Sequence, residues 1–217
     1  MLFRSRERGV KLLIPEEREI SRISEGIGAQ EIIYKNLRLK IPLMGEHQIY
    51  NAVTAVETAL LLKNRGYAIT DNYIECGVNG THFTGRLEVI RQNPLCIIDA
   101  AHNPDGVLAL AKTIDALFKG KKIIAIMGMF ADKDYKYCIP EIAKRSSAFI
   151  AITPPSSRAL AAETAKEIAK DFCENTFAAK SLGEAADMAM SLAGGDGVIL
   201  SCGSLSFIGE IKRILKS

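Results

Sequence analysis

From residue 87 to the C-terminus, short apolar runs alternate with longer helical ones, and this alternation constrains the fold more than any other feature. Residues 87–91 and 95–99 read as strands parted by Asn93-Pro94. Asn103-Pro104 then opens a predicted helix to about residue 119, with Asn as N-cap and Pro in the first turn. Strands follow at 122–127, 148–153 and 197–201, and helices at 135–144, 159–172, 183–192 and 205–215. Strands separated by helices of this length imply βαβ units, hence an open, mostly parallel α/β sheet of Rossmann-like class covered on both faces.

The first 43 residues differ. They are charged, have no long helical period, and contain two extended stretches, 30–34 and 37–43, around Lys35-Asn36. These read as a β-hairpin, which cannot stand alone and needs a body to lie against. From His47, apolar Ile49, Ala52, Val53, Val56 and Leu60 recur at helical spacing, with Gly66 as the stop signal. A shorter helix is expected from Asp71, as its cap, to Gly77.

Composition excludes several classes. Lys plus Arg is 28 against 25 for Asp plus Glu, and a net charge of +3 is too small for a nucleic-acid or membrane-surface protein. Five cysteines without a CxxC pair argue against a disulfide scaffold or structural zinc, and for a reducing, cytoplasmic setting. The charged start, Met1 to Arg8, has no apolar core of a signal peptide, and no apolar run reaches the roughly 20 residues of a membrane span. His47, His82 and His102 lie too far apart for a His-based metal site, so no metal ligands are expected.

Ligands of open α/β sheets bind beyond the C-terminal strand ends. The strand at 95–98 delivers Asp99 to that edge, with His102 just before a helix N-terminus, where free N–H groups and the dipole suit an anion. Gly85-Arg86-Leu87-Glu88 precedes the first strand, and an Arg there suits bidentate contact with phosphate. His47, Gln48 and Asn51 lie near another helix start, Asp132-Lys133-Asp134 follows the strand ending near Met129, and Gly203-Ser204 follows the last strand. Each also has a plain structural reading as a cap, a turn or a solvated loop. No GxGxxG follows a strand and no GxSxG elbow exists, which sets aside a dinucleotide oxidoreductase and a serine hydrolase.

Taken in order, GEHQIYNA, GRLE, DAAHNP, DKD and GS resemble the folylpolyglutamate synthase/dihydrofolate synthase family of the Mur ligase superfamily, from about Leu43 to the C-terminus. Two departures stand out: Phe83 where the family usually has Trp, and Ala100 where it usually has Gly. The resemblance implies ATP-dependent joining of L-glutamate to folate or dihydropteroate through an acyl phosphate. It implies ATP contacts at Asn51, Arg86 and Asp99, with Arg86 facing phosphate and Asp99 accepting from ribose hydroxyls or nearby polar groups. His102 and Ser204 correspond to positions associated with the incoming glutamate or the catalytic cleft.

The family's phosphate-binding loop, GxxxxGK[ST] or a close relative, is absent: Gly120-Lys121 is followed by Lys122, with no Gly five residues earlier. The expectation is therefore a ligase part inactive alone. Residues 1–84 would be the tail of the central ATPase domain and 85–217 the glutamate ligase domain. A missing N-terminal P-loop domain would supply most Mg²⁺ ligands and the sheet on which the hairpin lies. Two alternatives stay open: a part of another Mur-type amide ligase, or a non-catalytic binding module on the same scaffold.

Overall fold

The computed structural model describes residues 2–10 and 12–216, with side chains from residue 5 onward; Met1, where the charged start begins, lies outside them. The chain divides into two compact units, Met1–His82 and Phe83–Ser217.

The first unit begins with a short helix, α1 (Leu2–Glu7), and a 3-10 turn at Glu17–Glu19. Three antiparallel strands follow, β1 (Ile20–Gly26), β2 (Ala29–Tyr34) and β3 (Leu37–Ile41), in that spatial order. The expected hairpin is β2–β3. Lys35 (φ 47°) and Asn36 (φ 68°) both take left-handed backbone, as a two-residue hairpin turn requires. The third strand, β1, was not expected, because all but its two ends are exposed and it carries no alternating apolar face.

The hairpin's body also differs from the expected one. Ile32, Tyr34, Leu37, Leu39 and Ile41 pack against Ile49, Val53 and Val56 of α2 (Glu46–Asn64) and Ile74 of α3 (Asp71–Asn79). Thus one face of the ribbon is covered within this chain. Gly66, at φ 91°, ends α2: its own N–H reaches Lys63 O at 3.0 Å and that of Tyr67 reaches Leu62 O at 3.3 Å. The cap of α3 is Thr70, whose Oγ1 accepts the Tyr73 N–H at 3.2 Å. Asp71 instead occupies the first turn, where its charge suits the helix dipole.

The second unit holds a six-stranded sheet. Its elements in chain order are β4 (Glu88–Gln92), β5 (Leu95–Ile98), α4 (Pro104–Leu117), β6 (Ile123–Met127), α5 (Tyr135–Ala143), β7 (Ala148–Ala151), α6 (Ala162–Ala169), β8 (Thr176–Ala178), α7 (Leu182–Ala193), β9 (Val198–Cys202) and α8 (Leu205–Lys216). The spatial order is β4-β5-β9-β6-β7-β8, and only the edge pair β4–β5 is antiparallel. This is the expected α/β class.

Every residue of β6, β7 and β9 is buried, the mark of a sheet covered on both faces. On one face Ile124, Ile126, Ile150 and Ile199 pack with Ala185, Ala186 and Ala189 of α7 and with Phe207, Ile208 and Ile211 of α8. The helices α4, α5 and α6 pack side by side and supply the other layer. β8, an edge strand of three half-buried residues, is too short to show a period and was not expected.

Candidate functional site

The β5 strand ends at Ile98, paired with Ser201 of β9, so Asp99 and the residues after Cys202 leave the sheet side by side at its C-terminal edge. The Asp99 N–H still reaches Ser201 O at 2.9 Å. The side chain is 5% exposed rather than solvated. Its Oδ1 accepts the Ala101 N–H at 2.7 Å and its Oδ2 accepts the Leu87 N–H at 2.9 Å. Burial pushes this carboxyl up to about 6, against the opposing pull of those two amides and of Arg86. Asp99 is therefore engaged inside the corner, with both oxygens on backbone.

That engagement shapes the segment carrying Arg86. Ala100 N–H donates to Gly85 O at 2.8 Å, so the Gly85–Leu87 turn is bound to the Asp99–Ala101 corner from both strands. Arg86 is exposed. Its guanidinium lies 5.6 Å from the centre of the Phe83 ring, and among the described residues no carboxylate forms an ion pair with it. A cation held on an aromatic face, exposed and outside any direct ion pair although it acts on the buried Asp99 carboxyl, is suited to an incoming anion.

His102 follows the corner. Its Nδ1 is 2.8 Å from Ala100 O. A carbonyl only accepts, so Nδ1 carries a proton, and in the neutral ring Nε2 is the nitrogen left to accept. Asn103 caps α4 by accepting the Gly106 N–H at 2.8 Å, with Pro104 at the first helical position. On the neighbouring strand end, Ser204 is buried and directly precedes α8. Its Oγ accepts the Ser206 N–H at 3.2 Å and lies 2.9 Å from Ser206 Oγ.

The backbone is crowded between these points. Gly203 has φ 106°, and a Cβ there would stand 2.5 Å from Gly128 O, beyond the end of β6. A Cβ on Gly128 would meet Ile152 at 2.8 Å. The loops beyond β9, β6 and β7 thus pass at a separation only glycine permits, which keeps the edge narrow.

The Asp132–Asp134 segment behaves structurally. Asp132 pairs with Arg158 at 3.2 Å, while Arg158 lies over the Phe130 ring at 4.7 Å. Asp134 caps α5 through the Tyr137 N–H at 3.3 Å. Arg158 was not singled out from sequence, because its partners lie 26 and more residues away.

The second unit brings Arg86, Asp99, His102 and Ser204 to one edge; Asn51 belongs to the first unit. There Asn51 Nδ2 donates to Gln48 Oε1 at 3.1 Å, and Gln48 Nε2 lies 3.0 Å from His47 Nε2. Asn51 and Gln48 border a cavity of about 160 Å³ otherwise lined by Ile41, Leu43, Ala52, Ala55, Val78 and Thr81. An apolar slot with carboxamides at its border suits a flat heterocycle. Among the described residues no three His, Cys, Asp or Glu side chains gather as a metal site. No helix of the described residues is long and apolar enough to cross a membrane.

Comparison with known proteins bears on the fold and the family. A family described as "Mur ligase, glutamate ligase domain" matches residues 85–205. The chain is 36% identical over 124 residues to the folylpolyglutamate synthase of Lacticaseibacillus casei, covering 56% of this chain and 29% of that protein. It is 29% identical over 193 residues to the dihydrofolate synthase/folylpolyglutamate synthase of Bacillus subtilis, covering 86% of this chain and 43% of that one. The crystal structure of Mycobacterium tuberculosis folylpolyglutamate synthase complexed with ADP and AMPPCP superimposes with a TM-score of 0.83 at 26% identity, over 100% of this chain and 52% of that one. The chain thus spans about half the length of these relatives or less. With the fold and the matched residues in agreement, the chain belongs to the Mur ligase family by its glutamate ligase domain, and its kin are the folylpolyglutamate and dihydrofolate synthases.

Proposed function

We propose that this chain is the glutamate-side part of an ATP-dependent, cytoplasmic carboxylate–amine ligase that joins L-glutamate to folate or dihydropteroate through an acyl phosphate. The observation that carries the reading is the exposed Arg86 guanidinium, in no direct ion pair among the described residues and held by the Asp99 corner on the same sheet edge as His102 and Ser204.

In this reading Arg86 neutralises phosphate charge as it moves, the electrostatic work on which phosphoryl transfer depends. His102 Nε2 accepts a proton or hydrogen bond from the glutamate amine, and Ser204 offers its hydroxyl to glutamate. Asn51 offers its carboxamide to the adenine. Asp99 acts on the nucleotide through the Arg86 turn, because both its oxygens are already engaged. Residues 1–84 are the tail of an ATPase domain and 85–217 the glutamate ligase domain. A P-loop partner half provides the phosphate cradle, and Mg²⁺ arrives with ATP on that half's ligands.

The test is incorporation of labelled glutamate into folate or dihydropteroate with ATP and Mg²⁺. It is run with the 217-residue chain alone and with a separately expressed P-loop half. No turnover alone and turnover on mixing is the expected pattern. Turnover by the chain alone refutes the need for a partner half, and silence in both favours a non-catalytic module.

A further inference from the structure

Arg86 is flanked by backbone that side chains rarely adopt: Gly85 has φ 77° and Leu87 φ 45°. A leucine in that region is strained and persists only where its surroundings hold it. Asp99 and Ala100 hold one side of the turn, as described. The other side is held by Glu88, whose Oε2 accepts the Gly85 N–H at 3.3 Å. The second oxygen of Glu88, Oε1, lies 2.7 Å from Lys212 Nζ on α8. Both side chains of this pair are three-quarters buried. A Cβ on Gly85 would come within 3.5 Å of Ile208 and 3.8 Å of Leu205, so α8 lies directly against the turn.

Lys212 is eight residues, or about 12 Å, along α8 from Ser204. The helix that starts directly after Ser204 therefore carries the cation that fixes Glu88. We propose that Glu88 and Lys212 are positioning residues: their ion pair ties the Arg86 turn to α8 and so sets where the Arg86 guanidinium stands relative to Ser204. That Arg86 meets a nucleotide phosphate rests on the function proposed above; the tie itself does not. An ion pair buried to this extent gives up solvation for its Coulomb gain and so adds little to global stability. Its importance here is that each partner holds a group that is not itself flexible, a backbone amide on one side and a helix on the other.

The test uses the full chain and three variants, Lys212→Met, Lys212→Arg and Glu88→Gln. Hydrogen exchange at the Gly85 amide is followed without ligand, with the Ile98 amide of β5 as the internal reference. Lys212→Met is expected to speed exchange at Gly85 about tenfold, as local opening becomes easier, while Ile98 is unchanged. Lys212→Arg restores the wild-type rate, and Glu88→Gln gives an intermediate one. ADP is then titrated against the Arg86 side-chain Nε resonance. The expected result is about tenfold weaker binding in Lys212→Met and recovery in Lys212→Arg.

Equal exchange at Gly85 in all four proteins overturns the proposal. So does a Lys212→Met chain whose turn is loosened but whose ADP affinity is unchanged. If the wild-type chain does not respond to ADP, the nucleotide reading fails, and the exchange comparison decides the tie by itself.

Discussion

The two units solve the same problem, burying a sheet, in opposite ways. In the second unit β6, β7 and β9 are buried along their whole length, with helices on both faces. In the first, β2 and β3 bury alternate residues and β1 buries none fully. The two-sided sheet leaves one open place, the C-terminal edge, where chain must leave the strands and polar groups need partners. The candidate chemistry stands there. The one-sided sheet has no such confined edge, and its polar groups are taken up by ordinary work: Tyr34 O–H donates to Glu57 at 2.6 Å, and burial first, then that carboxylate, push the phenol above its usual range.

Five perturbations break or sharpen this contrast, taken from the largest expected effect to the smallest. Gly203→Ala drives a Cβ against Gly128 O in left-handed backbone, and should cost about 4 kcal/mol in denaturant unfolding. A cost below about 1 kcal/mol would mean the strand ends are not tightly apposed. In the one-sided sheet, Leu39→Ala removes a fully buried side chain and should cost about 3 kcal/mol, with the transition read by circular dichroism.

Third comes pH. The folded Asp99 carboxyl sits at about 6, above its ordinary 3.8, so folding takes up a proton between those values. The stability from this group is therefore present at low pH and lost as pH rises through about 6. The stability of the wild type relative to Asp99→Asn should fall by about 2 kcal/mol from about pH 4 to pH 7. A difference that is flat, or that grows with pH, contradicts the burial argument. Fourth, Thr70→Ala deletes the cap of α3 and should cost about 1 kcal/mol, whereas Asp71→Ala should cost only a few tenths. Last, Asn36→Gly relaxes the left-handed turn and should stabilise the β2–β3 hairpin by a few tenths of a kcal/mol, read as a small rise in Tm.

The same contrast governs what was legible in the sequence. Strands buried on both faces are continuous apolar runs, such as Ile123–Met127, and the α/β class followed directly from them. β1 left no trace, because a strand that faces solvent on both sides needs no apolar pattern. Thr70 was passed over for Asp71 because both are good caps and only the backbone decides between them. At the site, Asp99 and His102 could be placed at the strand edge and Ser204 after the last strand from the sequence, whereas Arg86 joins them only because β4 runs antiparallel to β5. The engagement of both Asp99 oxygens could not be read there, since it depends on Leu87 folding back over 12 residues. The Glu88–Lys212 pair spans 124 residues, beyond any local pattern.

The central claim is that the strand-edge cluster of the second unit carries ligase chemistry. Its most direct test is the glutamate-incorporation rate of the chain mixed with a P-loop half, comparing wild type with Arg86→Ala and His102→Ala. Both side chains are at least partly exposed, so neither variant should lower Tm by more than a degree or two. The account predicts a fall of about 100-fold or more for Arg86→Ala and about tenfold or more for His102→Ala, with the fold intact. Unchanged turnover in both variants would contradict it and leave this domain a binding module on a ligase scaffold.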